Sequence, residues 1–386
     1  MSDLPLAGYR VVELGVWVAG PAAGGILCDW GADVIKVEPP TGDPMRSIFA
    51  LAAGASEPRN PPFDLDNRGK RSVVLDLRTE QDRVVLERLL ATADVFVTNL
   101  RVDALERLGL AHTDVRARHP RLIYASVTGF GLDGPDRDRA GYDVGAFYAR
   151  SGFAASMTVG DLAPPALRSG KGDHVTGLAA AAGVLAKLLE RERTGTGGLV
   201  ETSLLRAGMY TTGWELAIQQ RFGKSQAPED RTANSTPLVN CYRSSDGRWF
   251  WLLGLEADRH LPGVLRAIGR SDLADDPRCA SARDRRINAR ELIAEMDVAF
   301  ATRTRDEWAT IFAEHDVWWA PVQSLAEVVA DPQARAAGAI VRMASGEESI
   351  APPAGFGARD VVARPVPELG ADTDEVLREL EGRGPI

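Results

Sequence analysis

The first half of the chain alternates short, β-branched apolar runs with longer stretches of helical periodicity. Such alternation predicts an α/β protein: a mostly parallel sheet with helices on its faces. Strands are expected at Tyr9–Leu14, Val34–Val37, Ser72–Asp76, Val95–Thr98 and Leu122–Val127. Between the third and fourth, Thr79–Thr92 spaces Val84, Val85, Leu89 and Leu90 as a helical stripe. Asp103–Leu108 predicts a short helix closing on Gly109. The strongest helical pattern is Asp173–Arg193, where Val175, Leu178, Ala182, Leu185 and Leu189 share one face and Gly195 supplies a stop. Leu199–Leu204 reads as a further strand leading into a helix.

From about residue 225 the pattern changes. CYRSSDGRWFWLL predicts a hairpin with Asp246-Gly247 at its turn, and Arg290–Thr302 a helix. The segment 320–338 reads as loop, helix and exit, and a Pro-rich tail ends in a helix near Asp372–Glu381. The expected organisation is a large Rossmann-like domain over 1–225, a small α+β domain over 226–330, and a C-terminal segment over 331–386 that returns to the large domain.

Composition narrows the class. Of 386 residues, 45% are hydrophobic and 26% charged, as in ordinary globular proteins, and the formal net charge of −9 argues against nucleic acid as a partner. The three cysteines are far apart and without neighbouring histidines, so neither a disulfide framework nor a metal site is expected. No apolar run suggests a membrane span, and a cytoplasmic protein is the default.

Residues 11–40 outline a βαβ unit of the kind that holds dinucleotides. A nicotinamide cofactor needs G-x-G-x-x-G directly after the first strand, so that bare backbone can approach the pyrophosphate. Here that turn carries bulky Val16, Trp17 and Val18, and the glycine spacing fails. Glu38 closes the second strand where a ribose-binding acid would stand, but on its own it reads as a solvated carboxylate. What survives is the helix start after Gly20-Pro21, whose N–H groups favour an anion or a carbonyl oxygen. Asp173 opens the long helix, where unpaired N–H groups and the dipole favour an ionised, nucleophilic carboxylate; capping alone would equally place an Asp there.

LAGYRVVEL, AGP, LCDWGADVIKVEPPTGDPMR, NRGKRSVVLDL, RLIYASVTGFGLDGP, AGYD and GKGDHVTGLAAAAGVLAKLLERERTGTGGLVETSLL follow one another in order. In this the chain resembles the family III CoA-transferases of CaiB/BaiF type, which include formyl-CoA and carnitine CoA-transferases and the α-methylacyl-CoA racemases. The resemblance implies an interlaced homodimer that moves CoA between an acyl-CoA thioester and a carboxylic acid, without a tightly bound cofactor. It places the catalytic carboxylate at Asp173 and a coenzyme A site at Val16, Trp17, Val18, Ala19, Leu75, Arg78, Asn99, Leu100, Arg107 and Leu108. Tyr142, Asp143 and Glu256 fall at further substrate-site positions. Pro39 replaces a basic residue that some relatives carry, leaving Arg46 as the candidate for that contact.

The racemase branch exchanges an α-proton through a His in A-G-H-D, where this chain has Ala140-Gly141-Tyr142-Asp143; a phenol is a poor base near neutral pH. Racemase activity is therefore the alternative reading, with a non-catalytic acyl-CoA-binding protein as another. The glycine-rich loop of formyl-CoA transferase has a glycine-free counterpart near 233–237, which suggests a bulkier acyl group. Trp214, Trp249, Trp251, Trp318 and Trp319 are candidates to line its site, against an ordinary core role.

Overall fold

The computed structural model describes residues 4–48, 60–168, 170–224, 230–356 and 364–382. These divide into two compact units, one drawn from Met1–Met157, Pro164–Gln226 and Arg335–Ile386, the other from Thr158–Ala163 and Ala227–Ala334. The boundary expected at 225 lies outside the described residues.

The first unit is built on a six-stranded sheet of β1 (Arg10–Leu14), β2 (Asp33–Glu38), β3 (Arg71–Val74), β4 (Val95–Thr98), β5 (Ile123–Thr128) and β6 (Gly198–Ser203). Every neighbouring pair is parallel, in the order β3-β2-β1-β4-β5-β6. This is the doubly wound order, so the chain reverses direction across the sheet between β1 and β4 and leaves a crevice at their C-terminal ends. The strands are nearly continuous apolar runs because helices cover both faces. Val11, Val34, Val97 and Ala125 pack against α1 (Ala19–Asp29) on one face, and Val12, Ile35, Val73 and Phe96 form the core of the other.

On that second face lie α3 (Glu80–Ala91) and the closing helix α16 (Thr373–Glu381), with Val376 and Leu380 buried. The tail is fastened electrostatically as well: Glu379 bonds Arg10 and Arg71 at 3.0 and 2.6 Å, and Asp372 accepts the Ser72 N–H at 2.8 Å. In α3 the stripe differs from expectation, since Val84 is exposed and Leu86 takes its place beside Leu89 and Leu90.

The long helix α7 (Lys171–Thr194) departs more sharply from its sequence pattern. Its buried side is Gly172, Thr176, Gly177, Ala180, Ala181, Val184 and Leu188, whereas Val175, Leu178 and Leu189 are exposed, Leu189 by 70%. Close approach decides this. A Cβ on Gly177 would come within 2.9 Å of Ala22 Cβ and 3.0 Å of Ala23 N, so only a face of small residues fits against α1. The large aliphatics are left on the outer face.

The second unit has its own core. The antiparallel sheet β7 (Cys241–Arg243), β8 (Trp249–Leu252) and β9 (Trp319–Pro321) packs Tyr242 and Phe250 against Phe300, Trp308 and Phe312 from its helices. The hairpin turn uses Gly247 at φ 79°, a conformation that glycine adopts without strain. Trp319 packs against Phe250 and Phe312, while Trp249, Trp251 and Trp318 are exposed on this unit and Trp214 is exposed on the first.

Candidate active site

The loop that follows β1 is built by polar side chains from beneath. Asn99, just after β4, accepts the Val16 N–H at 2.9 Å and donates to the Val16 carbonyl at 2.7 Å. Asp43 accepts the Trp17 N–H at 3.0 Å, holding Trp17 at φ 65°, an uncommon conformation for a bulky side chain. Asp43 pairs with Lys36 at 3.0 Å, Lys36 with Glu13 at 2.9 Å, and Glu13 with Lys70 at 2.7 Å. Lys70 also donates to Asn67 and to the Pro21 carbonyl, both at 2.9 Å. All four charged groups are buried. Burial alone would raise the Glu13 carboxyl, but Lys36 and Lys70 hold it below its ordinary range. Gly24 makes room for this network, since a Cβ there would lie 1.9 Å from Glu13 Oε2.

Glu38 is not the solvated acid that its strand-end position suggested. It is buried, and accepts from Arg46 through both oxygens at 2.7 Å, from Ser72 at 2.7 Å and from the Asp43 N–H at 3.0 Å. Arg46, which also lies over the Phe63 ring at 4.5 Å, is thereby committed to the fold and does not stand in for the basic residue replaced by Pro39.

Asp173 lies in the first turn of α7, but it is not the cap. The helix begins at Lys171, and Gly170 occupies the cap position at φ 87°. Behind it, the Gly172 N–H donates to Asp143 Oδ1 at 3.2 Å, and a Cβ on Gly172 would lie 2.4 Å from that oxygen and 2.2 Å from Phe147 Cγ. The glycine therefore lets a second buried carboxylate sit directly behind the helix start. Its consequence reverses the expectation of an ionised group stabilised by the helix. Burial, then the Asp143 charge, with a smaller push from Asp66, raise the Asp173 carboxyl to about 7, against an opposing effect of His174. Burial also raises Asp143, whose Oδ2 has no hydrogen-bond partner among the described residues. His174 Nε2 lies 3.0 Å from Asp66 Oδ1, and that hydrogen bond raises the imidazole.

Two cavities meet at the crevice. The first, of about 430 Å³, is lined by Val16, Trp17, Ala19, Asn99, Leu100, Arg107, Tyr142 and Asp173 among others. The second, of about 420 Å³ and mostly apolar, is lined by Val16, Leu75, Arg78, Leu100 and Leu108 together with Pro39. Val16 and Leu100 belong to both. Val18 caps α1 and lines neither, and Asp143 stands behind the first. Arg78 is exposed and bonded to Asp76, and Arg107 pairs with Asp103 at 2.8 Å.

Sequence reasoning passed over Arg101, Arg137 and Arg139, which also line the first cavity; the signal was the Arg137-Asp138-Arg139 run directly before AGYD. Glu256 lies in the second unit, exposed, at the start of α10 (Ala257–Ala267) and 3.5 Å from Arg259. Among the described residues no group of His, Cys, Asp or Glu is arranged to hold a metal ion, and no helix is long and apolar enough to cross a membrane.

A doubly wound sheet, paired cavities at its reversal point and a buried carboxylate pair at their rim define an α/β enzyme whose ligand lies across the strand ends, where nucleotides bind in such sheets. The family model for CoA-transferase family III matches residues 6–373, and the chain belongs to that family. It is 33% identical to the (R)-2-hydroxy-4-methylpentanoate CoA-transferase of Clostridioides difficile, over 97% of this chain and 95% of that one. It is also 33% identical to the cinnamoyl-CoA:phenyllactate CoA-transferase of Clostridium sporogenes (97% and 93%) and to the succinate–glutarate CoA-transferase of Agrobacterium fabrum (99% and 98%). A crystal structure of a CaiB/BaiF family protein from Brucella suis superposes with a TM-score of 0.86 at 31% identity, covering 98% of this chain and all of that one. The protein is thus a family III CoA-transferase, of the family whose substrates are CoA thioesters.

Proposed function

We propose that this enzyme moves CoA from an acyl-CoA to a free carboxylic acid through covalent intermediates on Asp173. Asp173 attacks the thioester carbonyl, forming a mixed anhydride and releasing CoA thiolate. The thiolate attacks the aspartyl carbonyl, giving an aspartyl-CoA thioester and freeing the donor acid. The acceptor carboxylate then attacks that thioester, and the released thiolate collects the new acyl group, regenerating Asp173. The observation that carries this reading is the position of Asp173 on the cavity wall with its carboxyl raised to about 7. A more basic carboxylate is a stronger nucleophile, and a value near neutrality keeps a substantial fraction ionised.

The apolar second cavity, with Leu75, Leu100 and Leu108, suits the adenine of CoA, and Arg107, Arg137 and Arg139 suit its phosphates. The exposed aliphatic face of α7 supports a homodimer, and the interlaced form follows from the family resemblance. Relatives named for branched, aromatic and dicarboxylic acids are equally similar, so donor and acceptor do not carry over by kinship.

Asp173→Asn is expected to abolish transfer, because an amide cannot form the anhydride. Wild-type enzyme incubated with acyl-CoA and quenched with hydroxylamine should carry the trapped adduct on the peptide containing Asp173, read by mass spectrometry. An unmodified peptide alongside full turnover would exclude covalent catalysis. Exchange of the α-proton in deuterated water without CoA transfer would point instead to the racemase chemistry.

A further inference from the structure

If Asp173 carries the exchange, its surroundings bear on the acid it meets. Tyr142 precedes Asp143, and Asp143 bonds the Gly172 N–H one residue before Asp173, which gathers Tyr142 and both carboxylates at one part of the first cavity. Tyr142 is 61% exposed and meets Trp17 edge to face, with ring centroids 6.0 Å apart at 89°. The pair presents aromatic, uncharged surface beside the nucleophile.

The fixed charges there are predominantly of one sign. Asp143 and Asp66 both act against negative charge at Asp173, and His174, which opposes them, is turned to Asp66. The arginines lining the same cavity already have carboxylate partners: Arg137 bonds Glu106 and Asp138, Arg139 pairs with Asp136, Arg107 with Asp103, and Arg101 acts on Asp103 as well. A second carboxylate on the incoming acid would meet like charge without an uncommitted cation to offset it, which is a strong discriminating element.

We propose that the acyl subsite beside Asp173 selects monocarboxylic acids with uncharged apolar side chains, branched or aromatic, against dicarboxylic acids. The proposal rests on the CoA-transferase reading above.

Purified enzyme would be offered acetyl-CoA, butyryl-CoA or succinyl-CoA as donor with phenylacetate, isovalerate, propionate, succinate or glutarate as acceptor, and the new thioesters measured by mass spectrometry. Phenylacetate and isovalerate are expected to exceed succinate and glutarate in kcat/KM by on the order of ten-fold or more. Tyr142→Ala, at an exposed position that tolerates truncation, is expected to lower the ratio of phenylacetate to propionate use by roughly ten-fold. Dicarboxylates used equally well, or a ratio unmoved by Tyr142→Ala, would overturn the selectivity while leaving the transferase reading standing. If no acid at all collects CoA from any donor, the transferase reading falls instead.

Discussion

Asp173 and Asp143 divide one task between them: one carboxylate is exposed to the cavity, and the other sets the field in which it works. Asp143→Asn removes a negative charge that raises Asp173, so Asp173 ionises at lower pH. The acid limb of kcat/KM, placed near pH 7 by the Asp173 carboxyl, is expected to move downward in that variant. A pH profile that does not move would remove Asp143 from this role. The same field bears on stability. A carboxyl raised from 3.8 to about 7 on folding favours the folded state fully below its unfolded pKa, and that contribution is lost as pH rises through about 7. Asp173→Asn is therefore expected to raise Tm relative to wild type at pH 8 and to change it little at pH 4, as thermal melts at the two values would show. Gly172→Ala should damage the site without touching either acid, since its Cβ has no space against Phe147 and Asp143. Overpacking there costs about 1–3 kcal/mol in a denaturant titration. In the sequence Asp173 was visible as an acid at a helix start, but its protonation was not, because Asp143 lies 30 positions earlier and arrives only through the fold.

At the scale of elements, the loop between β1 and α1 is the piece that separates this crevice from a dinucleotide site. It has side chains where a pyrophosphate would need bare backbone, and it is held in place from below by Asn99 and Asp43 rather than by its own turn chemistry. The buried pairs Glu13–Lys36 and Glu13–Lys70 tie that loop to β2 and to the residues before β3. Glu13→Gln would leave two buried ammonium groups short of their shared counter-charge. A loss of about 3–5 kcal/mol in unfolding free energy is expected, measured by denaturant titration. A loss below about 1 kcal/mol would mean that water or another acid satisfies both lysines. The strands themselves were legible from β-branched runs, but this network was not: Glu13 and Lys36 sit at alternating positions within apolar strands, and only the register of β1 with β2 places them opposite each other.

For the whole molecule, the aliphatic face of α7 is the feature a single chain leaves unexplained. Leu178→Glu combined with Leu189→Glu is expected to shift light scattering from a dimer toward a monomer; an unchanged mass would assign that face no part in association. Local composition determined a good deal by itself. The alternation of runs specified an α/β protein, the glycine spacing excluded a nicotinamide site, and the ordered motifs pointed to the family, because each depends on residues close together in the chain. The stripe on α7 was legible too, but not which way it faces. That depended on how near α1 could come, which small residues at Ala19, Ala22, Ala23 and Gly177 allow. The burial of Glu38 and the raised carboxyl of Asp173 were likewise tertiary outcomes. Desolvation and charge act through space, and the groups that exert them are brought together only when the sheet is wound.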